Sequence, residues 1–215
     1  RVDFYEEVFN MEKVLDTLKD LRTALNDTPI LFTFRTKKEG GEREISMEEY
    51  TALNKAVAES GYVDLVDVEI FSGDDVVKEN IKNIHDAGVL VVGSNHDFFK
   101  TPDKDDIVVR LRKMQEMEAD IPKIAVMPNT TEDVLTLLSA TNEMHTKYAD
   151  RPIITMSMGP LGVISRLSGE VFGSSMTFGA VGQVSAPGQI PVEELATTLD
   201  ILHKVLWPYK RKRTV

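Results

Sequence analysis

Lys123 sits in the middle of an apolar stretch, Ala119-Asp120-Ile121-Pro122-Lys123-Ile124-Ala125-Val126-Met127-Pro128. The stretch reads as a short buried strand bounded by prolines. Strand faces alternate, so Ile121, Lys123, Ala125 and Met127 share one side. A lysine there either snorkels to water, pairs with a carboxylate, or loses its charge to desolvation. A neutral amine is a nucleophile able to form an imine with a ketone or aldehyde. His96, after another apolar run, has a ring suited to proton transfer near neutrality. Glu39 lies in a polar loop and could orient that ring. Arg35 and Arg166 offer forked donors that suit a carboxylate. Each residue alone has a plainer reading: His96 as a surface-loop histidine, Glu39 as one of 35 acidic residues, Arg166 as half of a helix-surface ion pair. Ser185-Ala186-Pro187-Gly188-Gln189 is either a simple connection or a lid that brings Ser185 and Gln189 over a ligand.

The elements that must hold these residues are legible in the periodicity. Apolar residues at helical spacing predict helices over residues 11–26, 46–61 and 74–88, one from Thr101 with Ile107, Leu111 and Met114 on its buried face, one from the Asn129-Thr130 cap to Tyr148, a short one from Gly162 to Leu167, and a last one from Pro191 with Leu195, Leu199 and Leu202 inward. Ser46 with Glu49 forms a capping box, and Thr101-Pro102 reads as a cap with proline at the first helical position. Apolar runs predict strands beginning at Ile30, Val63, Val89, Ile121, Ile153 and Ser175, roughly 22–33 residues apart, the size of a βα unit. Asp67 and Glu69 share one face of the second of these. Arg1-Val2-Asp3 reads as the end of a further strand. This alternation implies a parallel sheet covered by helices, either an open doubly wound sheet or a closed (β/α)8 barrel. No G-x-G-x-x-G or P-loop pattern supports the open, nucleotide-binding form. In a barrel, Arg1, Arg35, Glu69, His96 and Met158 at strand ends would converge on one mouth, with Lys123 inside its strand.

The composition sets limits. There are 215 residues, 42% of them hydrophobic, enough for one sizeable core. The expected organisation is one domain over residues 1–206 and a tail over 207–215, where Lys210-Arg211-Lys212-Arg213 reads as solvated. A net charge of −10 argues against nucleic-acid binding. With no cysteine there is no thiolate chemistry, as suits a cytoplasmic protein. No run is long enough for a membrane span. The four histidines lack metal-ligand spacing, so no metal is expected.

A lysine amine, a histidine, a supporting glutamate and two arginines together describe an anionic ketone as substrate. The imine drains electrons from the adjacent carbon, histidine removes the proton there, and a β-substituent leaves. The chain also resembles the type I 3-dehydroquinate dehydratases, imine-forming enzymes of the shikimate pathway. The resemblance rests on Phe32-Thr-Phe-Arg35, Glu39-Gly-Gly, Ser94-Asn-His96-Asp-Phe98, Ile121-Pro-Lys123-Ile124, Met156-Ser-Met158, Gly162-Val-Ile-Ser-Arg166 and Ser185-Ala-Pro-Gly-Gln189. It implies a (β/α)8 barrel, usually dimeric, without metal or cofactor, that converts 3-dehydroquinate to 3-dehydroshikimate. It also implies that Lys123 forms the imine, His96 moves protons and Glu39 pairs with His96. Arg166 and Gln189 would hold the substrate carboxylate, Ser185 would sit on the closing loop, and Arg35 and Arg1 would contact ring hydroxyls. Barrels of this class run to about 250 residues. The resemblance therefore implies a first strand and helix ahead of Arg1 that this numbering lacks. The alternatives are another imine-forming barrel of the class I aldolase type and a non-catalytic, carboxylate-binding barrel fragment.

Overall fold

A computed structural model describes residues 1–207. The expected basic tail, from residue 208 onward, lies outside the described residues. The chain falls into two compact units, Arg1–Phe98 with Arg112–Lys123, and Phe99–Leu111 with the described residues from Ile124 onward.

The first unit opens with a 3-10 turn, Val2–Phe4, not the strand end expected there. The Val2 N–H still donates to the Thr33 carbonyl at 2.9 Å, so one sheet-like bond survives without a ladder. Helix α1 (Met11–Leu25) is capped by the Asn10 side chain, which accepts from the Lys13 N–H. Val14 and Leu18 are buried, whereas Leu21 and Leu25 of the same stripe are exposed. Strand β1 is short, Leu31–Phe32. A second 3-10 turn, Lys37–Glu39, follows. Helix α2 (Met47–Glu59) starts from the expected Ser46/Glu49 capping box. Then come β2 (Leu65–Glu69), α3 (Asp74–Asp86) and β3 (Leu90–Asp97).

These strands pair in parallel, with Leu31 opposite Leu65 and Glu69 opposite Ser94. That register decides the site. Residues opposite one another in a parallel pair point to the same face, and every second residue repeats it. Asp67, Glu69, Ser94 and His96 therefore share one side. The other side packs closely: a Cβ on Gly93 would come within 2.5 Å of the Ala119 Cβ. Tyr50 of α2 pins β2, donating to the Asp67 carbonyl and accepting from the Glu69 N–H, both at 3.2 Å. Its ring meets Phe34 edge-on at 6.3 Å between centroids.

The boundary between units runs through α4 (Lys104–Glu116) and β4 (Ile121–Val126). Helix α4 starts later than its sequence cap suggests. Thr101 instead donates its hydroxyl to the Met127 carbonyl at 3.1 Å. The second unit continues with α5 (Thr131–Lys147), entered through a Thr130/Asp133 capping box, and β5 (Ile154–Ser157). Two short helices, α6 (Val163–Leu167) and α7 (Gly169–Phe172), precede the final helix α8 (Val192–Leu206). Strand order follows the chain, β1-β2-β3-β4-β5.

The strand expected from Ser175 is absent. Among the described residues, isolated bridges, Ile153 with Ser174 and Ala180 with Pro191, are the only strand-type pairing at this segment. Of the α8 leucines expected to face inward, only Leu195 is buried; Leu199 and Leu202 are half-covered. Among the described residues, no helix is long and apolar enough to cross a membrane.

Candidate active site

The first unit carries a buried cluster of charge. Lys123, the third residue of β4, is 7% exposed. Its Nζ donates to Asp67 Oδ2 at 3.0 Å. Desolvation lowers the Lys123 pKa from its usual value; Asp67 opposes that effect and the Arg35 charge adds to it. The carboxylate-paired and desolvated readings of this lysine therefore hold at once.

Arg35 leaves β1 and turns into the same cluster, only 2% exposed. Its Nη1 donates to Glu69 at 2.9 Å and to Ser94 at 3.0 Å, and its Nη2 donates to Asp67 at 2.7 Å. The forked donors expected to meet a ligand are thus engaged by carboxylates of the chain itself. Glu69 is further held by the backbone N–H and hydroxyl of Thr36. Burial works against ionisation of Asp67, but Arg35 and Lys123 outweigh it and hold Asp67 well below the usual carboxylate range.

His96 lies inside β3 near its end, not in the loop after it. Its Nδ1 is 2.9 Å from Glu39 Oε2, and its backbone N–H donates to the same oxygen at 3.0 Å. Asn95, on the opposite parity but beyond the last β2–β3 pair, donates to Glu39 Oε1 at 3.1 Å. With Nδ1 bound to the carboxylate, Nε2 is the ring nitrogen left for a substrate. Phe98 stacks beside the imidazole at 6.5 Å. Burial, reinforced by Glu69, pushes Glu39 up to about 8. Burial and the nearby cations Arg35 and Lys123 push His96 well below its usual value. Arg1 is anchored to Asp3 through two bonds of 2.7 Å, and the Asp3 carboxylate also accepts from the Arg35 and Glu42 backbone.

The second unit carries Arg166, Ser185 and Gln189. Ser165 fixes the start of α6, accepting from the Ser157 N–H at 2.9 Å and donating to the Gly162 carbonyl at 2.7 Å. Arg166, one residue on, is 1% exposed and forms no ion pair among the described residues. Nη1 reaches the Met156 sulfur at 3.5 Å and Nη2 donates to the Pro187 carbonyl at 3.0 Å. Neither acceptor carries charge, and Nε is buried without a partner. Burial lowers the Arg166 pKa. A cavity of about 430 Å³ opens beside it, lined also by Ser165, Thr177 and His203 and by the carboxylates Glu170 and Asp200. A buried guanidinium with uncharged partners is a seat for an anion. In the loop at residues 182–189, Ser185 and Gln189 bond each other, at 2.8 Å from the Ser185 N–H to Gln189 Oε1 and 3.0 Å from Nε2 to the Ser185 hydroxyl.

The structure thus brings Lys123, His96, Glu39, Arg35 and Arg1 into one unit, and Arg166, Ser185 and Gln189 into the other. Asp67, Ser94 and Asn95 were not singled out by sequence reasoning as site residues. The signal for Asp67 was there: two acids two apart in an apolar strand. Among the described residues, no group of three His, Asp or Glu side chains is arranged to hold a metal ion.

Residues 1–205 match the family described as type I 3-dehydroquinase. Over 204 residues the chain is 60% identical to a 3-dehydroquinate dehydratase of Escherichia coli O7:K1, covering 95% of this chain and 81% of the relative. The type I 3-dehydroquinate dehydratase of Clostridium difficile, solved with covalent modified comenic acid, superposes with a TM-score of 0.92 at 57% identity, over 95% of this chain and 81% of that one. The enzyme of Geobacillus kaustophilus HTA426 gives 0.91 at 40% identity, over 98% and 80%. These likenesses place the fold in the (β/α)8 class that the βα alternation suggests. The chain belongs to the type I 3-dehydroquinase family, and its activity is that of a 3-dehydroquinate dehydratase, a lyase of the shikimate pathway.

Proposed function

We propose that dehydration proceeds through an imine between Lys123 and the ketone of 3-dehydroquinate. The observation that carries this reading is the buried Lys123 amine, its charge disfavoured by desolvation and its electrostatic effect felt at the His96 ring. Lysine ammonium and ketone combine to an iminium and one water, so the positive charge stays on nitrogen. His96 Nε2 takes the C2 proton, leaving an enamine. The β-hydroxyl departs with a proton delivered by the same imidazole, and a conjugated iminium forms. Water returns the amine and releases 3-dehydroshikimate; the net change is the loss of one water. The covalently modified acid in the Clostridium difficile relative supports a covalent step.

Glu39 fixes the Nδ1 tautomer and orientation of His96. Arg166 receives the substrate carboxylate, with Gln189 and Ser185 from the 182–189 loop as further donors. Arg1 contributes a contact to ring hydroxyls. Arg35, saturated by Asp67, Glu69 and Ser94, acts on them less by direct contact than by holding the carboxylates in place. The enzyme works on a small-molecule substrate as a homodimer in the cytoplasm.

Two substitutions test the roles. His96→Ala should nearly abolish kcat while substrate binding stays measurable by calorimetry, because proton transfer is a transition-state task worth about 10²–10⁴-fold. Arg166→Ala should chiefly raise KM, by roughly tenfold to a hundredfold, the worth of one charged hydrogen-bond partner. Exchanged phenotypes would refute the assignment.

A further inference from the structure

Lys123 Nζ faces a carboxylate whose two oxygens have divided tasks. Asp67 Oδ1 accepts from Arg35 Nη2 at 2.7 Å and from the Ser94 hydroxyl at 2.6 Å. Asp67 Oδ2 accepts from Lys123 Nζ at 3.0 Å. The carboxylate is fully buried and sits on a rigid strand, with its backbone carbonyl held by Tyr50. One oxygen is thus tied down by the scaffold, and the other is presented to the reacting nitrogen.

We propose that Asp67 is the fixed counter-charge of the Lys123 nitrogen, holding Nζ in position and balancing the positive charge there both as ammonium and as imine. This inference rests on the imine reading above and adds a residue to it. Its basis is charge conservation. Ammonium plus ketone gives iminium plus water, so the charge that Asp67 faces is the same on both sides of the step. Among the charged groups acting on Lys123, Arg35 and Arg1 disfavour a positive charge on its nitrogen, and Asp67 favours one. A buried iminium beside the two arginines needs a compensating anion. Asp67 is not the base of the reaction. Arg35 and Ser94 hold it ionised, which makes it a weak proton acceptor.

The test reads the nitrogen itself. In protein labelled at lysine Cε, the Lys123 signal, assigned by its loss in Lys123→Ala, is titrated by carbon NMR. Asp67→Asn keeps the shape and removes the charge; the midpoint should fall by about 1–3 pH units, the effect of one close opposite charge. With saturating 3-dehydroquinate at fixed pH, the fraction of chains trapped by borohydride should fall as well. Ser94→Ala removes a donor from Asp67 and leaves its charge less neutralised, so there the midpoint should rise. A structural role alone would not move the two midpoints in opposite directions. A folded Asp67→Asn protein with an unmoved midpoint overturns the proposal. If Asp67→Asn does not fold, an unmoved midpoint in Ser94→Ala does so. No adduct on Lys123 in the unaltered protein overturns the imine reading and the imine half of this one, while the titration judges the ammonium half by itself.

Discussion

The Glu39 carboxylate meets His96 twice, at the ring Nδ1 and at the backbone N–H of the same residue, both through Oε2. The ring is therefore referenced to its own main chain and cannot rotate without breaking the Nδ1 bond. Such a grip presents one tautomer, with Nε2 directed away from the carboxylate.

Glu39→Gln should keep one of these bonds and lose the other's charge. The amide oxygen can still accept from the His96 N–H, but the tautomer of the ring is no longer enforced. The expected result is a kcat reduced by about 10²–10⁴-fold, the range of a general acid–base contribution, with KM changed little. Steady-state kinetics on a protein with unaltered melting would check it. Wild-type kcat would show that Glu39 does not orient the ring.

The pH profile follows from the same pair. With Glu39 raised to about 8 and His96 lowered, the pair holds one extra proton below about pH 8. That proton must leave before Nε2 can accept one from substrate. Lys123, lowered by burial, also yields its neutral amine below the ordinary lysine range. Both requirements have the same sign, so kcat/KM should rise with pH through about 8. A profile that is flat or falling there would contradict this electrostatic account. Glu39→Gln should remove the part of that rise set by the Glu39–His96 pair and leave the part set by Lys123.

Gly40 follows Glu39 in a left-handed conformation, φ +83°. A Cβ there would approach the Phe98 ring, which stacks beside His96, to 2.3 Å. Gly40→Ala should cost about 1–2 kcal/mol from the backbone alone, and more from the clash. Because the clash displaces Phe98 and the Glu39 loop together, kcat should fall alongside stability. Denaturant unfolding and kinetics on one preparation would show whether the two move together. A protein as stable as the original would mean the ring gives way freely.

The sequence made the chemistry more legible than the geometry around it. Lys123 announced itself as a charge in an apolar strand, and parity placed it on the face with Ala125. His96 and Glu39 were legible as types but not as partners, since 57 residues separate them and only the fold brings them to 2.9 Å. Parity placed Asp67 and Glu69 on one face, yet what lies across from them depends on register with β3. Arg166 was legible as a forked donor for a carboxylate, but its burial was not, because a five-residue helix shows no clear periodicity. The segment from Ser175 alternates like a strand, but a strand needs a ladder of partners, and local sequence does not reveal whether neighbours supply one. Here they supply only bridges.

The imine is tested most directly by mass. The intact protein is incubated with 3-dehydroquinate, reduced with borohydride, weighed, and digested to find the modified residue. The account predicts a stable adduct on Lys123, absent in Lys123→Ala. Turnover of 3-dehydroquinate with no adduct, or with the adduct on another lysine, would contradict it.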